Sequence, residues 1–145
     1  MQILRQAYYF LLFIFIVSPL VRAQQSTQEM PHNNSVYGVS ISPDGSLIFA
    51  AGKDSLGHVW NAQGQKKLEL RGHASSVSSI FYDEADQSIL TGSYDNTAIL
   101  WDTNGEVLAQ FMGHDNAVIN IAKSGQTVGT ASRDGSAALW SVDGT

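Results

Sequence analysis

The sequence predicts an all-β protein made of three tandem copies of one unit of about 41 residues. Three observations predict this. Landmark residues recur at intervals of 41 and then 41 or 39 residues, short β-prone runs lie between turn residues, and no stretch beyond residue 23 shows the 3.6-residue apolar period of a helix. Units of this length cannot bury a core alone, so we expect them to stack side by side.

Five kinds of landmark recur in the same order in each unit. A histidine opens the unit, a valine follows it, and then come an aspartate, a tryptophan and a glycine. The landmarks are His32, His73 and His114, Val36, Val77 and Val118, Asp54, Asp95 and Asp134, Trp60, Trp101 and Trp140, and Gly64, Gly105 and Gly144. Chance similarity between polar loops would not keep this register through three copies.

Each unit is expected to contribute short strands separated by turns such as Ser42-Pro43-Asp44-Gly45. The first unit contains four β-prone runs, the second unit another four, and the third unit three. These are 36–42, 47–51, 57–60, 67–70, 77–82, 88–92, 97–101, 106–111, 118–122, 127–131 and 137–140. The chain stops where the fourth run of the third unit would begin.

The first 23 residues are expected to be a cleavable signal peptide, which would make the protein secreted or periplasmic. The apolar run Ala7–Val17 spans only about 16 Å as a helix, against about 30 Å of bilayer hydrocarbon, so a retained membrane anchor is disfavoured and no stable membrane insertion is expected after cleavage. The expected organisation is a signal peptide over 1–23, an N-terminal lead-in segment over 24–31, and repeats over 32–72, 73–113 and 114–145.

Charge and composition exclude several classes of partner. The chain has 8 basic and 13 acidic residues, and removal of 1–23 takes away two arginines, which leaves a net charge of 6 − 13 = −7. This balance argues against nucleic acid as a partner. The absence of cysteine excludes a disulfide framework and a thiolate nucleophile.

The repeats resemble those of the WD-repeat β-propeller family. The second unit carries the fullest match, with Gly72-His73, Thr91-Gly92-Ser93-Tyr94-Asp95 and Leu100-Trp101-Asp102, and Gly113-His114 opens the third unit. The resemblance implies a partial β-propeller of three four-stranded antiparallel blades around a channel. The last blade would lack its outer strand unless the N-terminal segment or a partner supplies it.

The resemblance also implies a structural hydrogen-bond network in which a histidine, a hydroxyl, an aspartate and an indole tie each blade together. The implied members are His73, Ser93, Asp95 and Trp101 in the second blade, and His114, Ser132, Asp134 and Trp140 in the third. In the first unit Gly52 replaces the serine, so we expect this network to be incomplete there.

No residue is predicted to be catalytic, to bind a cofactor or to ligate a metal, and the protein is not expected to be an enzyme. The serine, histidine and aspartate recur beside a tryptophan in repeats, and no Gly-x-Ser-x-Gly elbow is present. The landmark histidines fall one per blade, which would keep them apart, and His58 is expected at a surface or an edge. Calcium at Asp83-Glu84-Ala85-Asp86 is conceivable, but solvation of these carboxylates is favoured.

The family resemblance implies that partners bind the narrow face around the channel. The positions that would point there are Ser35, Tyr37 and Lys53, then Ser76, Ser78 and Tyr94, and finally Ala117, Ile119 and Arg133. Tyrosine and arginine dominate interface energetics, so a protein or peptide partner, and an acidic one in particular, would complement this face. The alternative is that these are ordinary exposed residues.

The predicted function is an exported protein-interaction scaffold. The alternative is a fragment, or the sensor or substrate-binding part, of a larger exported enzyme or receptor. Three blades do not close a ring, because propellers have typically four to eight. A homodimer completing a six-bladed ring, a longer propeller of which this is a fragment, and a partner that supplies the missing blades all remain open.

Overall fold

The computed structural model describes residues 29–30, 32 and 34–144, and within these residues every regular element is a β-strand. The predicted signal peptide over 1–23 and most of the lead-in segment over 24–31 lie outside the described residues. The strands are β1 (Val36–Ile41), β2 (Leu47–Gly52), β3 (Leu56–Asn61), β4 (Lys66–Arg71), β5 (Val77–Asp83), β6 (Ser88–Ser93), β7 (Thr97–Asp102), β8 (Val107–Met112), β9 (Val118–Ser124), β10 (Thr127–Ser132) and β11 (Ala137–Ser141).

The eleven strands form three antiparallel sheets in which each strand pairs with the next along the chain. The first blade has the order β1-β2-β3-β4, the second β5-β6-β7-β8, and the third β9-β10-β11. All eleven predicted strands are therefore present, and the partial propeller with a three-stranded last blade is confirmed. Among the described residues, no helix has the length and apolar character needed to cross a membrane.

The inner strands of neighbouring blades approach closely, and a glycine makes this possible. A side-chain carbon on Gly38 in β1 would lie 3.2 Å from the Cα atom of Ser79 in β5. The register of β1 shifts between Val36 and Gly38, and that of β5 shifts between Val77 and Ser79. This repeated bulge bends each inner strand at the same point.

The hydrophobic core lies between blades and not within one sheet. Phe49 of the first blade stacks on Tyr82 of the second, with ring centroids 4.6 Å apart. The core between the first two blades contains Phe49, Ala51, Val59, Leu70, Val77, Ile80, Ile89, Ile99 and Trp101, and the core between the second and third contains Leu90, Ala98, Leu100, Ala109, Phe111 and Val128. Each blade is thus stabilised by its neighbours, as in other repeat proteins.

An ion pair also joins the second and third blades. The ammonium group of Lys123 donates to Asp83, 2.8 Å away, and to Asp86, and the Lys123 side chain is 1% exposed. Burial by itself would lower the pKa of Lys123, but the two carboxylates outweigh it and raise that pKa. Asp83 and Asp86, which were expected only to be solvated, therefore bind Lys123 and link the second and third blades.

The outward faces of the first and third blades leave apolar side chains exposed. Val39 is 64% exposed, whereas Ile80, at the same position of the second blade, is 6% exposed. Leu139 of the third blade is 80% exposed, whereas its counterpart Leu100 is 4% exposed. The difference follows from the presence or absence of a neighbouring blade.

Candidate functional site

In the second blade, a network of hydrogen bonds links strands β6 and β7, the turn between them and the segment before β5. The Trp101 indole N–H donates to Thr91 Oγ1 over 2.8 Å. His73 Nε2 lies 2.8 Å from the same oxygen, and His73 Nδ1 lies 2.8 Å from Asp95 Oδ2. Because the carboxylate of Asp95 can only accept, it fixes the proton on Nδ1, so the Thr91 hydroxyl donates to Nε2. Each of these side-chain polar groups of the second blade therefore has a hydrogen-bond partner.

The hydroxyl in this chain belongs to Thr91, so the assignment of Ser93 from the sequence was wrong. Ser93 Oγ donates instead to backbone carbonyls of the loop before β5, 3.1 and 3.0 Å away, and accepts from the Asp95 backbone N–H. The register of β6 and β7 explains the difference. Ile89 pairs with Trp101, so Thr91 is the next residue on that face of β6, and Ser93 lies two residues farther along the strand.

The third blade repeats this arrangement. His114 Nδ1 lies 2.8 Å from Asp134 Oδ2, and His114 Nε2 lies 2.7 Å from Thr130 Oγ1, which accepts from the Trp140 indole over 2.9 Å. Ser132, assigned to this network from the sequence, donates instead to a backbone carbonyl in the loop before β9. The correction is therefore the same in both blades.

The hydrogen bonds lower the pKa of both aspartates. Burial by itself would raise the pKa of Asp95, but hydrogen bonds from His73 and Thr97 hold it well below its usual value. The hydroxyl of Ser136 is the largest of the influences that hold the pKa of Asp134 well below its ordinary value. Both carboxyls therefore remain ionised acceptors at neutral pH.

The first blade departs from this arrangement in a coordinated way. Three of its residues differ from their counterparts in the second blade, with Ala50 in place of Thr91, Gly52 in place of Ser93, and His58 in place of Ile99. Together they remove the hydroxyl group, open space and add an imidazole. His32 and Asp54 keep the positions of the landmark histidine and aspartate.

These changes bring His32, Asp54 and His58 together. His58 Nε2 donates to Asp54 Oδ2 over 2.9 Å, whereas His32 Nδ1 lies 3.9 Å from the same oxygen. The two imidazole rings meet edge to face with centroids 4.2 Å apart. His58 is 4% exposed, so its expected surface position was wrong. The landmark histidines lie one per blade. Their spacing therefore did not predict a cluster in which both histidines belong to the first blade.

Several nitrogens in the cluster are buried without a hydrogen-bond partner. They are both ring nitrogens of His32 and Nδ1 of His58. Burial, and then the neighbouring His58, lowers the pKa of His32, which favours its neutral form. The cluster lines a cavity of about 530 Å³ together with Trp60 and Glu69.

Three residues of the predicted binding face come together across the three blades. Tyr37 and Tyr94 meet edge to face with ring centroids 5.9 Å apart. The Arg133 guanidinium lies 4.9 Å from the centre of the Tyr94 ring and donates to the Tyr94 hydroxyl over 3.3 Å. We refer to Tyr37, Tyr94 and Arg133 as the tyrosine–arginine ladder.

One repeated backbone bond positions this face in each blade. The backbone N–H of Lys53 donates to the carbonyl of Ser35 over 2.9 Å, and Tyr94 donates to Ser76 in the same way. Arg133 makes the equivalent bond in the third blade. The Ser76 hydroxyl also donates to the Lys53 carbonyl over 3.2 Å, which joins the first and second blades beside the ladder.

Two of the predicted face residues are not available to a partner. The Ser78 hydroxyl donates to the Gly92 carbonyl over 2.9 Å and to the Val118 carbonyl in the third blade, so it links two blades. Ala117 is 4% exposed and therefore packs inside. Ile119 is 42% exposed.

The sequence matches the family described as WD domain, G-beta repeat at residues 24–61, 64–102 and 105–141. The chain is 28% identical over 121 residues to a guanine nucleotide-binding protein subunit beta-like protein of Encephalitozoon cuniculi, and 33% identical over 115 residues to the protein tipD of Dictyostelium discoideum. Each alignment covers 77% of this chain, but only 36% and 19% of the respective relative.

Solved structures support the same fold. The computationally designed protein Ika4 is 24% identical, with a TM-score of 0.70 over 80% of this chain and 74% of its own. The computationally designed protein Ika8 is also 24% identical, with a TM-score of 0.69 over 77% of this chain and 35% of its own. Three matched repeats correspond to the three sheets, and the second and third repeats contain the same network of hydrogen bonds. This chain is a member of the WD-repeat family.

Proposed function

We propose that this protein is an interaction scaffold that binds an acidic segment of a protein partner at the tyrosine–arginine ladder. WD-repeat proteins generally act as protein-interaction scaffolds, which supports the broader part of this proposal. The observation that carries the finer part is the ladder itself, to which each of the three blades contributes one residue.

The chemistry of the ladder favours a carboxylate-bearing partner. Tyr37 is 45% exposed and Arg133 is exposed, so both can be covered by a partner. Aromatic and arginine side chains provide large contact area and directed donors, and they are enriched at binding hot spots. Lys53 adds a second cation to the same face of a protein whose net charge is −5. Opposite charge on a partner segment would speed association and fix its orientation.

Selection from a random peptide library on the immobilised protein tests this proposal. We expect enriched peptides to contain Asp and Glu beside an apolar residue. Arg133→Ala should weaken their binding by about tenfold or more, which corresponds to the loss of a charged contact. Lys67→Ala provides a matched control, because it removes an exposed cation from an outer strand away from the ladder. Equal binding by Arg133→Ala and the unchanged protein would contradict the proposal.

The exposed end faces support a second proposal, that this chain works within a larger ring. Leu139 and Val39 are exposed where their counterparts in the second blade are buried, and apolar surface of this kind favours association. Further blades from a longer chain, from a partner or from a second copy would cover it. The mass of the protein in solution distinguishes a dimer from a monomer. A stable monomer that shows no self-association at any concentration would contradict the copy-based ring.

Export remains part of the proposal. It rests on the apolar run Ala7–Val17 and the small residues that precede position 24. Sequencing the N-terminus of the protein from its host tests it. A start at Gln24 in the periplasm or the medium is expected, whereas an intact N-terminus inside the cell would contradict export.

A further inference from the structure

We propose that the first blade binds a divalent transition-metal ion through His32, Asp54 and His58. The proposal concerns a site separate from the tyrosine–arginine ladder. Zn²⁺ is the ion whose coordination chemistry fits the donors best, because zinc takes imidazole nitrogen and carboxylate oxygen together.

The donor atoms are already close to the spacing that a metal requires. One nitrogen of each imidazole and one oxygen of the carboxylate all lie within 4.8 Å of one another. A tetrahedral zinc with bonds of about 2.0 Å places its donors about 3.3 Å apart. The distance from Asp54 Oδ2 to His58 Nε2 is 2.9 Å, and that to His32 Nδ1 is 3.9 Å. Small side-chain rotations would therefore bring all three donors onto one ion.

The unpartnered nitrogens of His32 point independently to a ligand. The His32 side chain is 5% exposed, and neither of its ring nitrogens has a hydrogen-bond partner among the described residues. A buried polar atom without a partner costs free energy, on the order of 1–3 kcal/mol. His73, at the same position of the second blade, uses both of its nitrogens. A metal ion would give His32 the partner that it lacks.

The sequence around the cluster makes room for this arrangement. A side-chain carbon on Gly52 would lie 2.9 Å from His32 Cε1 and would also collide with the Asp54 carboxylate. A serine there, as in the other two blades, would displace both donors. Ala50 removes the hydroxyl that would otherwise occupy an imidazole nitrogen. Each replacement thus frees a donor or clears space for it.

Glu69 lies where, after a small shift of its side chain, it would give His58 the outer support that metal-binding histidines usually have. Its Oε1 lies 3.7 Å from His58 Nδ1, the ring nitrogen that faces away from Asp54. Lys66, with Nζ 2.8 Å from Glu69 Oε1, and Arg71 hold this carboxylate in place. A carboxylate at the second nitrogen orients the ring and strengthens it as a ligand. When the ion binds His58 Nε2, the ring proton would move from Nε2 to Nδ1, where the Glu69 carboxylate would accept a hydrogen bond from it.

In this role the ion would do for the first blade what the hydrogen-bond chain does for the others. It would tie the segment that carries His32 to the turn and strand that carry Asp54 and His58. Three protein donors leave a fourth position toward the cavity, which a water molecule can fill.

Titration of the full chain, purified without a polyhistidine tag, with Zn²⁺ and Co²⁺ tests the site. We expect saturable binding of one ion per chain and the visible absorption of tetrahedral Co²⁺. His58→Ile installs the residue found in the second blade and should weaken binding at least about 100-fold, since it removes a ligand. His32→Asn should do the same without changing the core of the sheet. Zn²⁺ should raise the unfolding temperature of the unchanged protein but not that of His58→Ile or His32→Asn.

His114→Gln is the matched control, because this histidine uses both nitrogens in the third blade's hydrogen bonds. Its binding of Zn²⁺ should equal that of the unchanged protein. Three results would each overturn the proposal. They are no saturable binding by the unchanged chain, unaltered affinity in either His58→Ile or His32→Asn, and an equal loss in His114→Gln.

Discussion

The second and first blades have the same four strands in the same order, yet only the second is enclosed on both faces. Ile80 is 6% exposed in the second blade, whereas Val39, its counterpart, is 64% exposed in the first. The same sheet thus buries or exposes a given position according to its neighbours. The interfaces between blades therefore provide most of the stability of this partial propeller.

The two blades also use their landmark histidine and aspartate differently. In the second blade His73 and Asp95 belong to a hydrogen-bond chain that ends at Trp101, and its hydroxyl comes from Thr91. In the first blade no hydroxyl reaches the histidine, and a second imidazole occupies the space. A satisfied polar network specifies one arrangement, whereas unpartnered nitrogens leave a site open to a ligand.

The largest expected effect compares one apolar position in the two blades. Ile80→Ala should lower the free energy of unfolding by about 3 kcal/mol, because it opens a cavity between two blades. Val39→Ala should change it by less than about 0.5 kcal/mol, since the side chain is exposed. Urea unfolding measures both. Equal losses of unfolding free energy in the two variants would contradict this prediction, because Val39 would then have to be buried in solution.

A smaller effect is expected from the polar chain. Thr91→Val keeps the shape of the side chain but leaves the Trp101 N–H and His73 Nε2 without partners, at a cost of about 2 kcal/mol. Thr130→Val should cost less, because Trp140 is partly exposed and water can replace the lost bond. Thermal unfolding of the two variants gives this order. If Thr91→Val is as stable as the unchanged protein, the hydrogen bonds of Thr91 contribute nothing to the free energy of unfolding.

The smallest expected effect is on how the free energy of unfolding depends on pH. The pKa of Asp95 is lowered in the folded protein, so its contribution is present above the unfolded-state pKa of about 3.9 and is lost as pH falls below it. After allowance for solvent screening this contribution is about 1 kcal/mol. Asp95→Asn should therefore flatten the loss of stability as the pH falls from about 4 to about 2. Asp115→Asn, at an exposed carboxyl, should leave that loss unchanged.

The sequence was sufficient to predict the strands and the order of the blades. Repeated turn residues bound each β-prone run, so the predicted ends of strands such as β2 and β7 differ from the observed ends by no more than one residue. Serine and threonine both recur in the second and third units, however, so spacing alone could not decide which hydroxyl joins the network. Strand register decides it, because it places Thr91 and not Ser93 beside Trp101.

The cluster in the first blade also left a signal in the sequence. His58 and Trp60 are two residues apart on one strand, so their side chains share a face. His32 aligns with His73, which contacts the equivalent tryptophan, and the two first-blade histidines should therefore meet. The distances and the unpartnered nitrogens could not be predicted, because they depend on how Gly52 and Ala50 let the side chains settle.

Hydrogen exchange resolved to each blade, measured with and without Zn²⁺, tests most directly the claim that two equivalent blades are held by different polar chemistry. Without zinc, the amides of β2 and β3 should exchange faster than those of β6 and β7. Saturating zinc should slow exchange in β2 and β3 and leave β6 and β7 unchanged. Equal protection of the two blades without zinc, or no response to zinc in the first blade, would contradict the account.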